Sequence, residues 1–299
     1  MKFYIADAFA EELFGGNPAG VVILDKDGAF PSPEIMQKTA AELRYSETAF
    51  IQQLGPNQFH LRYFTPAAEV ALCGHATIAS FAALSEAGLI KDESRCTART
   101  LAGDLRIELD RGFIMMEMGI PEHLGTIRQS AELDELYSIM GLSRAHQATI
   151  TKGGHSTVLY PEIISTGLPD ILLPLKDQES LSAIRPDFPA LAKLSQKHQV
   201  TGIHAFTLDP CSLGVTAHCR NFAPLFGIDE EAATGTASGA LTHYLFAHQF
   251  ITSGQTYTFI QGEAMGRPSK ILSRVLPQDN RLIQVGGSAK ILAQGIIHL

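Results

Sequence analysis

Phe64-Thr65-Pro66, then Glu69, then Cys73-Gly74-His75-Ala76-Thr77-Ile78-Ala79 stands in the first half of the chain; Phe222-Ala223-Pro224, then Glu230, then Thr234-Gly235-Thr236-Ala237-Ser238-Gly239-Ala240 stands in the second. The spacing is kept. Both 230 minus 69 and 235 minus 74 give 161, whereas 224 minus 66 gives 158, so the second loop is three residues longer. Each copy is a loop, a Gly, and then an Ala-rich run that is apolar on almost every side. A helix with no polar face has to be enclosed, so the first run, Gly74 to Leu89, reads as a rod wrapped by a sheet or barrel. Two such lobes predict a duplicated chain with one cleft between pseudo-equivalent halves.

The flanking sequence supports that layout. Phe3, Ile5 and Phe9 alternate with polar or small residues, the cluster from Gly15 to Gly20 interrupts, and Val21 to Leu24 resume, giving strand, loop, strand. Ser32 before Pro33 is an N-cap with proline at the first helical position, and Ile35, Met36, Thr39, Ala40 and Leu43 follow at helical spacing. Glu47 to Gln52 and Gln58 to Phe64 form a hairpin about Gly55-Pro56-Asn57. Short strands follow from Arg95 to Met118, and Met115, Met116 and Met118 read as strand core. Apolar periodicity lapses from Pro121 to Glu132, where an inter-domain linker is expected, with a helix over about Ala131 to Met140. The lobes are therefore expected at 1–122 and 123–299, with a last strand at about 283–299 returning to the first. The second lobe reads as strands, one helix from about Leu181 to Lys197, and later strands.

Composition narrows the function. With 299 residues the chain exceeds what one core comfortably fills, which agrees with two domains. No window approaches the ~18 apolar residues of a membrane span, and Asp7, Glu11 and Glu12 interrupt any leader-like run, so a cytoplasmic protein is expected. A net charge of −8 without a basic run argues against nucleic acid and anionic lipid as partners. Cys73, Cys96, Cys211 and Cys219 show no zinc-ligand spacing and no disulfide framework; they read as thiols, and no metal is expected, even with His218 beside Cys219.

The first turn of a helix presents unpaired N–H groups and a partial positive charge, so it holds a carboxylate or phosphate without a lysine. Two such turns suit a small anionic metabolite. The alternative is that Thr77 and Ser238 only cap or pack their own helices.

Five ordered pieces carry a resemblance: Gly16-Asn17-Pro18-Ala19-Gly20-Val21; Ser46-Glu47-Thr48-Ala49-Phe50; Phe64-Thr65-Pro66 with Glu69 and Gly74-His75-Ala76-Thr77; Arg220 with Phe222-Ala223-Pro224 and the segment Glu230 to Gly239; and Gln261-Gly262 with Gly266-Arg267-Pro268-Ser269. Their order across nearly the whole chain resembles the phenazine-biosynthesis PhzF-like isomerase family. The resemblance implies the diaminopimelate-epimerase fold: two similar α+β domains, each a curved, mostly antiparallel sheet around a central helix, with the active site between them. It also implies a cofactor-independent isomerase and a homodimer.

Carried over by position, the family's general acid/base is Glu47, with His75 and Glu231 lining the site as further catalytic groups. Asn17, Gly74, Gly235 and Thr236 fall at substrate-binding positions. A carboxylate in a dry cleft can take a proton from one carbon and return it to another without metal or cofactor. The chain departs from the pattern where Glu231-Ala232 replaces Asp-Pro and Thr236 replaces Ser, which bears on the substrate. The related epimerases use two thiols, at the positions of Cys73 and Thr234; the second is absent, which disfavours two-thiol chemistry. Two alternatives stay open: a racemase or epimerase using Glu47 with Glu231 or His75, and a small-anion-binding protein without turnover.

Overall fold

The computed structural model describes residues 1–26, 28–152, 155–209 and 213–299. Contacts divide the chain into two compact units, Met1–Glu117 with Val285–Leu299, and Met118–Gln284. Both are α+β, as the resemblance implies. No described helix is long and apolar enough to cross a membrane.

In the first unit, strand Lys2–Ala8 lies between strand Ala289–Ile296 and strand Asn17–Ile23. Helix α1, Pro33–Leu43, then crosses to strand Thr48–Gly55, which runs parallel to Asn17–Ile23. Ser32 starts that helix by accepting a hydrogen bond from the Ile35 amide at 3.3 Å, and Pro33 presets the first turn. The hairpin to strand Gln58–Phe64 is antiparallel, and helix α2, Gly74–Glu86, crosses to the parallel strand Arg95–Thr100. Strands Gly103–Asp110 and Phe113–Glu117 complete the meander. Helix α2 touches Ala289–Ile296, Asn17–Ile23 and Phe113–Glu117 alike, so the sheet curls around it. Its hydroxyls disturb nothing, because Thr77 and Ser80 donate to the carbonyls of Cys73 and Ala76, four residues back.

The second unit repeats this plan. Strand Pro169–Leu175 is joined by helices to the parallel strand Gly202–Thr207, and strand Ala217–Ala223 is joined through strand Ile228–Glu231 and a buried helix to the parallel strand Tyr257–Gln261. Its helices in chain order are α3 (Ser130–Ile139), α4 (Gln178–Ala183), α5 (Phe188–His198) and α6 (Gly235–Ala247). Helix α6 is the counterpart of α2, enclosed on nearly every side. Ser238 donates to the Thr234 carbonyl at 2.8 Å, just as Thr77 does to Cys73 at 2.7 Å. Both hydroxyls therefore serve their own helices. Gly239 is required: a Cβ there would lie 2.8 Å from Thr166 Oγ1, which donates to the Thr236 carbonyl at 2.8 Å.

The duplication extends to a pair of clasps. Arg62 grips Glu69 with two hydrogen bonds of 2.7 Å while its guanidinium lies over the Phe64 ring; Arg220 grips Glu230 with two of 2.8 Å while lying over Phe222. Each fork ties the strand before the buried helix to the turn that launches it. Glu69 and Glu230, which mark the repeat in sequence, are thereby structural.

Two local expectations are corrected. The expected linker contains a strand, Glu122–Thr126, paired with Glu162–Ser165. Its first three residues are exposed, so it lacks the apolar alternation that would have shown it. The expected helix from Leu181 to Lys197 is two helices, because Pro186 pushes Arg185 out of the helical region and Asp187 restarts the chain by accepting from the Ala190 amide at 3.0 Å. Cys73, Cys96 and Cys219 are buried free thiols; Cys211 lies outside the described residues. Met115, Met116 and Met118 are buried.

Candidate active site

In the first unit the fold brings Asn17, Ser46, Glu47, Cys73, Gly74 and His75 together. Asn17 opens its strand, Glu47 immediately precedes strand Thr48–Gly55, and the Gly20 amide bonds the Glu47 carbonyl at 3.3 Å, which ties those two parallel strands. Gly74 and His75 are the first residues of α2, with Cys73 at its N-cap. His75 is only 3% exposed and is held at both ring nitrogens. Asn17 Nδ2 is 3.1 Å from Nδ1, and Ser46 Oγ and Glu47 Oε2 are each 3.1 Å from Nε2. Cys73 Sγ approaches the same ring, 3.5 Å from Nδ1. Behind them Thr77 donates to the Cys73 carbonyl, so the Tyr63 hydroxyl donates to Thr77 Oγ1 at 2.6 Å, fixing the N-cap from the core side.

The electrostatics follow from this packing. Burial pushes the Glu47 carboxyl up, but the charge of His75 and hydrogen bonds from His75, Ser46 and Cys73 outweigh it and hold the group below the usual range. Burial opposes the charge on His75, yet Cys73 and Glu47 raise it well above an ordinary imidazole. Burial, then the Glu47 charge, pushes the Cys73 thiol up to about 11. A thiol at that value is neutral at pH 7, so the charge that keeps the imidazolium there is the Glu47 carboxylate. The result is a buried ion pair whose acid half is accessible on one side, Glu47 being 12% exposed. Cys73 is a poor nucleophile in this setting, but it is no bystander, since it touches both members of the pair.

In the second unit Glu231, Thr234, Gly235, Thr236 and Gln261 meet at the start of α6. Thr234 Oγ1 donates to Glu231 Oε2 at 2.5 Å, and Gln261 Nε2 donates to the Glu231 carbonyl at 2.7 Å while its Oε1 accepts from the Thr234 amide at 3.3 Å. The Glu231 side chain is thus aimed by the turn. The strand residue opposite Glu231 is Asn221, and opposite Asn221 is His204, whose Nδ1 is 3.1 Å from Asn221 Oδ1. Asp170, fully buried in the neighbouring strand, completes this polar face. Burial first, then the charge of Glu231, pushes its carboxyl to about 7, which the Gly202 amide offsets only in part. Neither Asp170 oxygen has a well-formed hydrogen bond.

Each predicted site residue thus sits in one of two clusters: Asn17, Glu47, Gly74 and His75 in the first unit; Glu231, Gly235 and Thr236 in the second. Sequence reasoning missed three participants. Ser46 lies in view inside the Ser46-Glu47-Thr48 motif, Cys73 reads only as a thiol without its second partner, and Asp170 gives no signal in an apolar strand. Among the described residues, the ligand atoms of Glu47, Cys73 and His75 all lie within 4.8 Å of one another, close enough to hold one metal ion. A separate cavity of about 650 Å³ in the second unit is lined by Arg185, Arg220, Glu230 and Glu263. Arg220 and Glu230 saturate each other there, so that cavity has the clasp for a wall and none of the Glu231 cluster.

The chain is similar to known proteins over nearly its whole length. The family model of phenazine biosynthesis-like proteins, PhzC-PhzF, matches residues 6–295. An uncharacterized isomerase of Deinococcus radiodurans is 35% identical over 99% of this chain and 96% of its own. The trans-2,3-dihydro-3-hydroxyanthranilate isomerase of Pseudomonas aeruginosa is 30% identical over 100% of this chain and 99% of its own. Among solved structures, a phenazine biosynthesis protein of the PhzF family from Bacillus anthracis superposes with a TM-score of 0.82 at 25% identity, covering 100% of this chain and 99% of that one. A probable proline racemase from Agrobacterium radiobacter shares the fold alone, with a TM-score of 0.62 at 11% identity over 100% of this chain and 93% of that one.

Proposed function

The chain belongs to the PhzC-PhzF family of phenazine biosynthesis-like proteins and is an isomerase, and from that premise we propose that Glu47 is the acid/base that moves a proton on a small carboxylate-bearing metabolite. The observation that carries the proposal is the Glu47 to His75 pair, 3.1 Å apart and buried, with Asn17 and Ser46 holding the imidazole. His75 and Ser46 keep the carboxylate ionised and oriented in a dry site, which is the form that accepts a proton. A substrate C–H bond breaks, its proton goes to Glu47, the electron pair forms a double bond to the neighbouring carbon as the original double bond shifts, and the same carboxyl returns the proton at the far carbon. Nothing is oxidised or reduced, so the residues of the chain suffice. The same reading gives the substrate carboxylate to the first turn at Gly74, has His75 serve a polar substituent, and expects a cytoplasmic homodimer.

The test is exchange from deuterated water. The compound named for the Pseudomonas relative is the first candidate, followed by a panel of small unsaturated carboxylates. The expected result is label on carbon with a shifted double bond for the native chain, and loss by about 100-fold or more in Glu47→Gln with the fold intact. Unchanged incorporation in Glu47→Gln would remove that residue from its role. Inversion at a stereocentre without a double-bond shift would give the racemase alternative the site instead, and stabilisation by a compound that exchanges nothing would mark a binder.

A further inference from the structure

We infer that Glu47, Cys73 and His75 form a binding site for a thiophilic divalent cation of the zinc class. The three side chains offer one carboxylate oxygen, one sulfur and one imidazole nitrogen, the mixed donor set that suits Zn²⁺ and its spectroscopic substitute Co²⁺ and that Mg²⁺ or Ca²⁺ does not favour. The spacing fits. With ordinary Zn–S, Zn–N and Zn–O lengths, two donors on a tetrahedral ion stand about 3.4–3.6 Å apart. Here His75 Nε2 is 3.8 Å from Cys73 Sγ and 3.1 Å from Glu47 Oε2, so rotation of the thiol and a few tenths of an ångström elsewhere close the set.

Two further observations point the same way. Glu47 Oε2 is buried, and although His75 Nε2 is near it, no donor makes a well-aligned hydrogen bond to it, which leaves a lone pair inside the cluster. Asn17 stands on the far ring nitrogen of His75 at 3.1 Å, where a partner fixes ring orientation for a ligating histidine: with its amide oxygen toward the ring it accepts from Nδ1–H and leaves Nε2 for the metal. Charge also balances. A carboxylate, a thiolate and a neutral imidazole together carry −2, which the dication cancels, and the protons that the thiol and Nε2 give up go to buffer. Sequence spacing could not show this site, because Glu47 arrives from a strand start and the other two from a helix cap.

If Glu47 is the acid/base, a consequence that rests on that reading follows: the bound ion takes the lone pair that turnover needs, so the metal opposes catalysis.

The test titrates the metal-free full-length chain with Co²⁺ alone, then displaces it with Zn²⁺. The expected result is a saturable sulfur-to-cobalt charge-transfer band in the near ultraviolet that Zn²⁺ abolishes. Cys73→Ser should lose the band, and Asn17→Ala should weaken binding by about 10- to 100-fold. A band that survives in Cys73→Ser would place the sulfur ligand elsewhere and overturn the assignment, as would absence of any saturable band in the native chain. Should Cys73→Ser fail to fold, the His75 ring ¹⁵N resonances of the native chain decide: Zn²⁺ must shift Nε2, and an unmoved Nε2 refutes the site. None of these readouts uses substrate, so a failed metal site and a failed acid/base are told apart.

Discussion

Replacing Asp170 with Asn should change how stability depends on pH, and the size follows from where the side chain sits. Asp170 is fully buried, faces the Glu231 charge, and titrates at about 7 against an ordinary 3.8. The folded value is raised, so the proton-bearing form is the one that folding favours. Below about 3.8 the side chain is neutral in both states and costs nothing; between 3.8 and 7 the unfolded chain releases its proton while the folded chain keeps it, and stability falls; above 7 the loss levels off. At about 1.36 kcal/mol per pH unit, the rise from 3.8 to about 7 gives roughly 4 kcal/mol at pH 8.5 and roughly 1–2 kcal/mol at pH 5. Asn is nearly isosteric and carries no charge. Urea unfolding of both proteins at the two pH values should therefore show Asp170→Asn gaining roughly 2–3 kcal/mol more, relative to the native chain, at pH 8.5 than at pH 5. A difference that is the same at both pH values would refute the reasoning, because it would mean that Asp170 does not carry a displaced proton.

The remaining predictions concern the clusters and their supports. His75→Gln removes the charge that lowers the Glu47 carboxyl, so the acid limb of the pH–rate profile for isotope exchange should move to higher pH as the rate falls; a limb that stays put would separate the two residues. Gly239→Ala places a Cβ 2.8 Å from Thr166 Oγ1 and 3.2 Å from Met118 Cγ and should cost about 1–3 kcal/mol in chemical unfolding, with Thr166→Ala in the same chain recovering part of the loss. Arg220→Ala strips a half-enclosed Glu230 of its fork and leaves the Leu181 and Ile184 carbonyls without that donor, so it should cost about 3–5 kcal/mol; Arg62→Ala, whose Glu69 is more exposed, should cost less, and equal losses would count against the argument.

How much of this was legible in sequence depends on whether a feature is periodic. The two buried helices were visible because an apolar run without a polar face has one physical solution, and Ser32-Pro33 announced α1 through its cap. The strand Glu122–Thr126 was not, since exposed residues carry no alternation. The break between α4 and α5 was present in Pro186 and was overridden by the apolar spacing of Leu181, Ile184, Leu191 and Leu194. In the site, Glu47, His75 and Asn17 came from ordered motifs, whereas no local pattern could say that they meet. Asp170 was invisible for a different reason. Its significance lies in Gly202, Asn221 and Glu231, on three other strands, and a single acid next to Pro169 reads as a turn.

The duplication also explains why the two clusters differ chemically while sharing a scaffold. At the offset of 161, Cys73 corresponds to Thr234, Gly74 to Gly235, His75 to Thr236 and Thr77 to Ser238. The positions that serve the helix itself are conserved in kind: the Gly at the first turn, and the hydroxyl that bonds four residues back. The positions that face outward from the first turn are not, for a thiol and an imidazole in one copy are two hydroxyls in the other. The first cluster therefore holds a carboxylate against a cation, while the second holds Glu231 against a neutral Thr234 hydroxyl and beside Asp170, whose carboxyl burial and the Glu231 charge raise to about 7. Proton removal and return on opposite faces needs two groups of matched basicity. The proposed shift uses Glu47 alone, and the absence of inversion in the exchanged product is what that proposal requires.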